Sequence, residues 1–419
     1  MTKVLIAGGG IGGLTTALSL HKAGHDVVVF ESVKEPRDLG VGINLLPHSV
    51  RILHDLGLEA ALDAVAIKTK SLSFYSEDGV KIWEEPRGLA AGNPWPQYSI
   101  HRGRFQMLLY NAAREQLGTD RVITGHHLVS FEQDRSGVRA TFADKRTGTI
   151  VGTYEGDVLI GADGLHSAIR KTFHPDEGPP VYSGLMLWRG ALETEPFGDG
   201  ESMFMAGHDN QKVVAYPIGE AERRNGRSLV NWIAEKPVEF DVNSADWNRE
   251  ASADAFVESF ESWDWGWINL PQIFKATPVC YEFPMVDRNP LDHWTDGRVT
   301  LLGDAAHAMR PNGSNGSSQA IIDSEAITQA LTEEANVLTA LERYEDVRLA
   351  PTAKLTLDNR KSGPERVLQW VKDRCDGTCV GEHSCVNQAE LEEVATAYKR
   401  LAGFDPAQLQ AKSRGPQGA

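Results

Sequence analysis

The 419-residue sequence predicts an α/β fold: a parallel sheet, an inserted and mostly antiparallel second sheet, and C-terminal helices. Three observations carry this. Apolar, β-branched runs at residues 3–7, 26–30, 157–161 and 298–302 each lead into a turn or a helical pattern, as buried parallel strands do. Strand-like alternation from residue 186 to 234 proceeds without intervening helices, which favours antiparallel neighbours. Helical spacing then runs from Gln319 to about Asn359, with breaks.

The first element is the most informative. Residues 3–7 read as a buried strand, followed at once by Gly8-Gly9-Gly10-Ile11-Gly12-Gly13 and a helix over 14–23. Strand, glycine turn and helix together form the context a dinucleotide fingerprint requires. Gly8 permits the turn, Gly10 admits a pyrophosphate to the backbone, and Gly13 lets the helix lie close to the strand. Gly12 belongs to the same turn, and the helix N-terminus offers unpaired N–H groups to phosphate. The second strand ends at Glu31, placed to accept from both ribose hydroxyls. An acid there selects a free 2′-OH, hence FAD or NAD rather than NADP in this site.

Composition is that of an ordinary globular protein, 41% apolar and 24% charged. No apolar run reaches membrane-span length. Residues 4–20 are apolar enough for a signal-peptide core, but five glycines between Gly8 and Gly13 and the missing cleavage pattern argue for the nucleotide site. The net charge of −16 disfavours nucleic acid and anionic membrane as partners. Four cysteines make no disulfide framework, and the expected location is the cytoplasm.

Two further segments complete the motif set. Residues 157–170 contain Asp163-Gly164 in a strand, turn and helix; residues 298–311 contain Gly303-Asp304 and end at Pro311. Asn312-Gly313-Ser314-Asn315-Gly316 follows, opening the helical pattern. A flavin dinucleotide is long, so one βαβ unit holds only its adenosine end. Its flavin end needs an acid for the ribityl chain and a glycine-rich helix start for the pyrimidine. Asp304 suits the first role, and residues 313–317 the second.

In this order and spacing, the three segments resemble the group A flavoprotein aromatic monooxygenases, of hydroxybenzoate and salicylate hydroxylase fold. The resemblance covers about residues 1–360 and is closest to the methylphenazine-carboxylate monooxygenase branch. It rests also on segments 42–47, 85–88, 96–102, 187–190 and 283–288. It implies a Rossmann-type FAD-binding domain of the glutathione-reductase kind, with NADH or NADPH as a transient co-substrate. The motif at Gly8–Gly13 would bind the ADP part, Asp163-Gly164 both FAD and NAD(P)H, and Asp304 the ribose or ribityl chain. Arg102 resembles an arginine near the pyrophosphate, and Gly42 belongs to a loop beside the flavin ring. The implied chemistry is single-component hydroxylation of an aromatic or heteroaromatic, carboxylated substrate by O₂ through a flavin hydroperoxide, with or without loss of CO₂. No metal is required.

Catalytic candidates are Tyr216, a strand phenol matching a pocket-facing position of related hydroxylases, and Arg189, a partner for a substrate carboxylate or else a sheet-face ion pair. His208 is a further candidate base, or a loop histidine. The expected division is an FAD-binding domain at 1–70, 98–180 and 280–360, a substrate domain at 71–97 and 181–279, a helical segment at 361–410 and a disordered tail at 411–419. A monomer or homodimer is expected. Trp263, Trp265 and Trp267 are expected to pack in the core or between domains rather than to signal a halogenase, and Cys375, Cys379, His383 and Cys385 to be structural or incidental rather than a zinc site. An FAD-dependent oxidase or dehydrogenase, or a non-catalytic flavin-binding redox regulator, is the alternative reading.

Overall fold

Parallel β-structure forms where the sequence has its densest apolar runs. In the computed structural model, which describes residues 1–38, 40–241, 249–375 and 387–413, Lys3–Ala7 is buried after its first residue and Val158–Gly161 throughout. Strands covered on both faces have no polar side to show, which is why these runs do not alternate. The sheet has the spatial order Thr295–Asp296, Val299–Leu301, Val158–Gly161, Lys3–Ala7, Asp26–Glu31, Val122–Thr124. Every pairing is parallel except the outermost, between 295–296 and 299–301. The helices Ile11–Lys22 and Gly316–Glu333 pack on each other beside this sheet.

The inserted sheet has eight strands, in the order Arg249–Ala251, Cys280–Asp287, Val181–Thr194, Ser228–Pro237, Gln211–Pro217, Met203–His208, Ser71–Tyr75, Lys81–Pro86. It is antiparallel except where 203–208 runs parallel to 71–75. Period-two alternation gives it two different faces. Trp188, Phe204, Val213, Ala215 and Trp232 point into an aromatic core with Phe256, Phe260 and Phe274. The opposite face carries Arg189, Met205, Val214, Tyr216, Ile233 and Glu235, which meet the nucleotide-binding unit. Registers place Val214 beside Ile233, Ile233 beside Arg189, and Lys212 beside Glu235.

Boundaries depart from expectation in three places. Cys280–Asp287 pairs along Val181–Thr194, so the inserted sheet extends to residue 287 and not 279. A separate three-stranded antiparallel layer, His127–Gln133, Val138–Ala143 and Ile150–Gly156, stands inside the stretch read as nucleotide domain. The last helix, Pro406–Ser413, runs past the expected start of the tail at 411. Helices Arg366–Cys375 and Gln388–Ala402 cover the end of the inserted sheet, packing Val367, Leu368, Leu391 and Val394 on Leu72, Met203 and Met205. Trp263 is buried and lies 5.3 Å from Trp265, which lies 5.6 Å from Trp267; the tryptophans pack as expected, although Trp267 keeps 40% exposure. Cys375 is disulfide-bonded, a structural use, while Cys379, His383 and Cys385 lie outside the described residues. Among the described residues, no helix is long and apolar enough to cross a membrane.

Candidate active site

The glycine turn after Lys3–Ala7 is as tight as its sequence demands. A Cβ on Gly13 would sit 2.0 Å from the Gly8 carbonyl oxygen, and one on Gly8 would sit 2.2 Å from that of Ala162 with φ at +114°. Only glycine fits either position. Gly10, by contrast, faces open space, and the helix it begins has no side-chain cap. Its first N–H groups are therefore available to an anion. Glu31, 8% exposed, accepts from Gly9 N at 2.9 Å through Oε2 and from Val33 N at 2.7 Å through Oε1. Ser32 Oγ also donates to Oε1, at 3.1 Å, so Oε2 retains a lone pair for one ribose hydroxyl and a second hydroxyl would take the place of Ser32.

One cavity of about 360 Å³ joins the nucleotide unit to the inserted sheet. Gly10, Gly12, Gly42, Arg102, Gly164, Gly303, Asp304, Pro311, Asn315 and Gly316 line it from one side. Tyr216 and Arg189 line it from the other. Arg102 has no ion-pair partner among the described residues, and Asp304 is exposed at a helix start. The 18-residue helix opening at Gly316 likewise has no side-chain N-cap.

Two predicted cofactor residues stand elsewhere. Asp163 turns away from the cavity: its Oδ2 accepts from Ala168 N at 2.8 Å, at the start of the next helix. Burial pushes its carboxyl above the ordinary value. Oδ1 is left buried without a partner. Gly313 packs against the C-terminal helices, where a Cβ would lie 2.1 Å from the Tyr398 hydroxyl, and its φ is +71°. Tyr398 also accepts from Asn315 Nδ2 at 2.9 Å and donates within reach of Asn359 Oδ1 at 2.8 Å. His208 sits at a strand end against Glu77, outside the cavity.

Arg189 is not a sheet-face ion pair. Its Nη2 donates to the Gly42 carbonyl at 3.0 Å, Nε is unpartnered, and the guanidinium lies 5.8 Å from the Phe283 ring centre. Asn231 Oδ1 accepts from Gly42 N at 2.6 Å. The inserted sheet thus holds both polar groups of this one peptide position. Burial pushes the Tyr216 phenol up to about 12, so it stays protonated and can donate.

Several residues at the site escaped the sequence reading. Asp323, fully buried, accepts from Gly303 N at 3.0 Å and contacts His307 Nε2 and Arg348 Nε, each at 2.6 Å. This fixes the turn that presents Asp304. Lys212 pairs with Glu235 at 3.0 Å and with Glu365, and Glu365 also accepts from Asn312 Nδ2 at 2.8 Å. A charged residue inside an otherwise apolar strand, as in 211–217 and 228–237, was the available signal.

A family model described as FAD binding domain matches residues 1–359. The chain is 45% identical over 367 residues to the phenazine 1,6-dicarboxylic acid hydroxylase of Lysobacter antibioticus, covering 86% of this chain and 89% of that protein. It is 29% identical over 369 residues to the 3-hydroxybenzoate 6-hydroxylase of Polaromonas naphthalenivorans, covering 86% and 87%. The structure of Klebsiella pneumoniae HpxO with FAD and uric acid superposes with a TM-score of 0.72 at 22% identity, covering 100% of this chain and 98% of that one, a likeness of fold.

Proposed function

We propose a function from one premise: the chain belongs to the FAD binding domain family, among the flavin-dependent aromatic monooxygenases of group A. It binds FAD, uses NAD(P)H and O₂, and hydroxylates an aromatic ring. The finer reading is that the ring is a heteroaromatic or aromatic carboxylic acid. The cavity that brings Tyr216 and Arg189 opposite the cofactor loops carries this reading. The resemblance to a hydroxylase of a phenazine dicarboxylic acid supports it.

The residues present fit the cofactor. Gly8, Gly12 and Gly13 shape the cradle, Gly10 leaves room for the pyrophosphate, and Glu31 would hold the adenosine ribose. Arg102 would face the phosphates, Asp304 the ribityl chain, and the uncapped helix at Gly316 the flavin pyrimidine. Gly164 and Pro311 complete the wall; Asp163 would act indirectly, by fixing the turn from Gly164 to Ala168. When bound, FAD supplies hydride-derived electrons and activates O₂.

The chain's own residues do the rest. Arg189 would hold the substrate carboxylate through the guanidinium edge left free by Gly42. Tyr216 would donate its hydroxyl hydrogen to an oxygen or nitrogen of the substrate, which orients the ring. Met205, Val214 and Ile233 present apolar surface that excludes water from the reacting carbon. The enzyme would work in the cytoplasm, where NAD(P)H is available, as a monomer or homodimer.

NADH and NADPH oxidation by FAD-loaded protein, across aromatic carboxylates and phenols with products read by mass, tests the proposal. Stimulated oxidation with one oxygen added is the expected result. Loss of the carboxylate mass identifies attack at the carboxylate-bearing carbon. Substrate that bleaches the flavin without NAD(P)H, with O₂ returned as peroxide, would instead identify an oxidase.

A further inference from the structure

The cavity wall carries a carboxylate that the reading above leaves unused. Glu235 lies on Ser228–Pro237, is 4% exposed and lines the cavity. Among the described residues its strand neighbour Lys212 is the one cation at ion-pair distance, and that lysine is shared. Lys212 donates to Glu365, whose carboxylate is already committed to Asn312 Nδ2 and Gly313 N. Glu235 Oε2 stands 3.0 Å from Lys212 Nζ but out of line for a hydrogen bond, and it is buried without another partner. Oε1 makes no hydrogen bond among the described residues. With both carboxylates ionised, they outnumber the one ammonium between them. The Arg189 cation lies on the same sheet face, opposite Ile233, two residues before Glu235.

Resting on the proposed hydroxylase reading, we propose that Glu235 is the proton acceptor for a ring donor of the substrate, a phenolic O–H or ring N–H, while Arg189 takes its carboxylate. In this step the substrate O–H or N–H bond breaks and a Glu235 Oε1–H bond forms. The electron pair stays on the substrate heteroatom, raising electron density at the ring carbon to be oxygenated. Tyr216, protonated, donates a hydrogen bond and does not take up the substrate's proton, so the two groups have opposite roles. The arrangement also sets specificity: a ring with a carboxylate at one end and a hydrogen-bond donor at the other matches the cavity. A second carboxylate at the Glu235 end meets like charge.

Burial pushes the Glu235 carboxyl up, while Lys212 from the neighbouring strand and Arg189 pull it down, and Glu365 from the C-terminal side pushes it up. A raised acceptor is protonated below its pKa and idle there. Rate should therefore rise with pH through an acid limb belonging to this group.

The test uses FAD-loaded wild type and Glu235→Gln, assayed from pH 5 to 9 with hydroxylated aromatic carboxylates and their methyl ethers. Wild type should turn over the hydroxylated acids with an acid limb. Glu235→Gln should lose that limb and about a hundredfold in kcat on them, the usual scale of general base catalysis. KM should change far less, and rates on the methyl ethers should not fall. FAD content and melting temperature near wild type show that the loss is chemical. If Gln leaves the protein without FAD, Glu235→Asp replaces it: the acid limb should persist there with lowered kcat. An unchanged limb and kcat in Glu235→Gln, or equal loss on the methyl ethers, overturns the inference and leaves the hydroxylase reading standing. Wild type that no aromatic acid stimulates overturns both.

Discussion

Gly42 has no room for a side chain: a Cβ would lie 2.7 Å from Tyr216, Asn231 and Ile218 alike. Gly42→Ala should displace Tyr216 and loosen the peptide held by Asn231 and Arg189. The expected outcome is retained FAD with NAD(P)H oxidation poorly coupled to hydroxylation, read as the ratio of product to NAD(P)H consumed. Arg189→Met removes a charge-assisted partner worth about 1.5–3 kcal/mol. KM for carboxylated substrates should rise roughly ten- to a hundredfold, with little change for uncharged phenols. At this scale the sequence was legible where backbone sterics fix the residue type, as at Gly8 and Gly13. It was less so for Gly313, whose glycine answers to Tyr398, a contact between positions 85 residues apart that no local pattern can show. Asp163 misled for a related reason. The same Asp-Gly spelling serves a ligand or a helix cap, and here the side chain meets Ala168 N.

The turn at Gly303-Asp304 depends on a buried ion cluster. His307 and Arg348 overcome burial and hold the Asp323 carboxyl at about 2, below its ordinary 3.8. A depressed carboxyl contributes stability fully above its unfolded pKa, and that contribution is lost as pH falls toward about 2. The shift corresponds to about 2 kcal/mol. Urea unfolding should therefore show this loss between pH 4 and 2 in wild type and a smaller one in Asp323→Asn, itself less stable at pH 7. Helix Gln388–Ala402 reaches the following loop, 312–315, through Tyr398. Tyr398→Phe leaves Asn315 and Asn359 short of a partner, at a cost of about 2 kcal/mol, and should raise the FAD dissociation constant about tenfold, measured by flavin fluorescence. Elements with a clear start signal were legible; Ile11–Lys22 lies within three residues of its expected span, 14–23. The layer at 127–156 was not, because its outer strands, His127–Gln133 and Ile150–Gly156, are mostly solvent-accessible and mixed in polarity.

Across the whole molecule, the parallel and inserted sheets meet around one cavity rather than through one continuous core, since their main apolar clusters are separate. A ligand filling that cavity should couple them. At a thousandfold excess over its dissociation constant, FAD stabilises by about 4 kcal/mol, so calorimetry should show the holoenzyme melting several degrees above the apoprotein. The architecture was legible because the nucleotide motifs recur in a fixed order; the exact seams were not, because pairing such as 280–287 with 181–194 is a long-range choice. The contact of Gly313 with Tyr398 has a consequence for how the protein is made. The glycine turn of residues 8–13 is made well before the loop expected to face the flavin, and that loop acquires its last support only when residue 398 has been added. A nascent chain can shape its adenosine cradle early, but it can become a complete flavoprotein only after residue 398 has emerged.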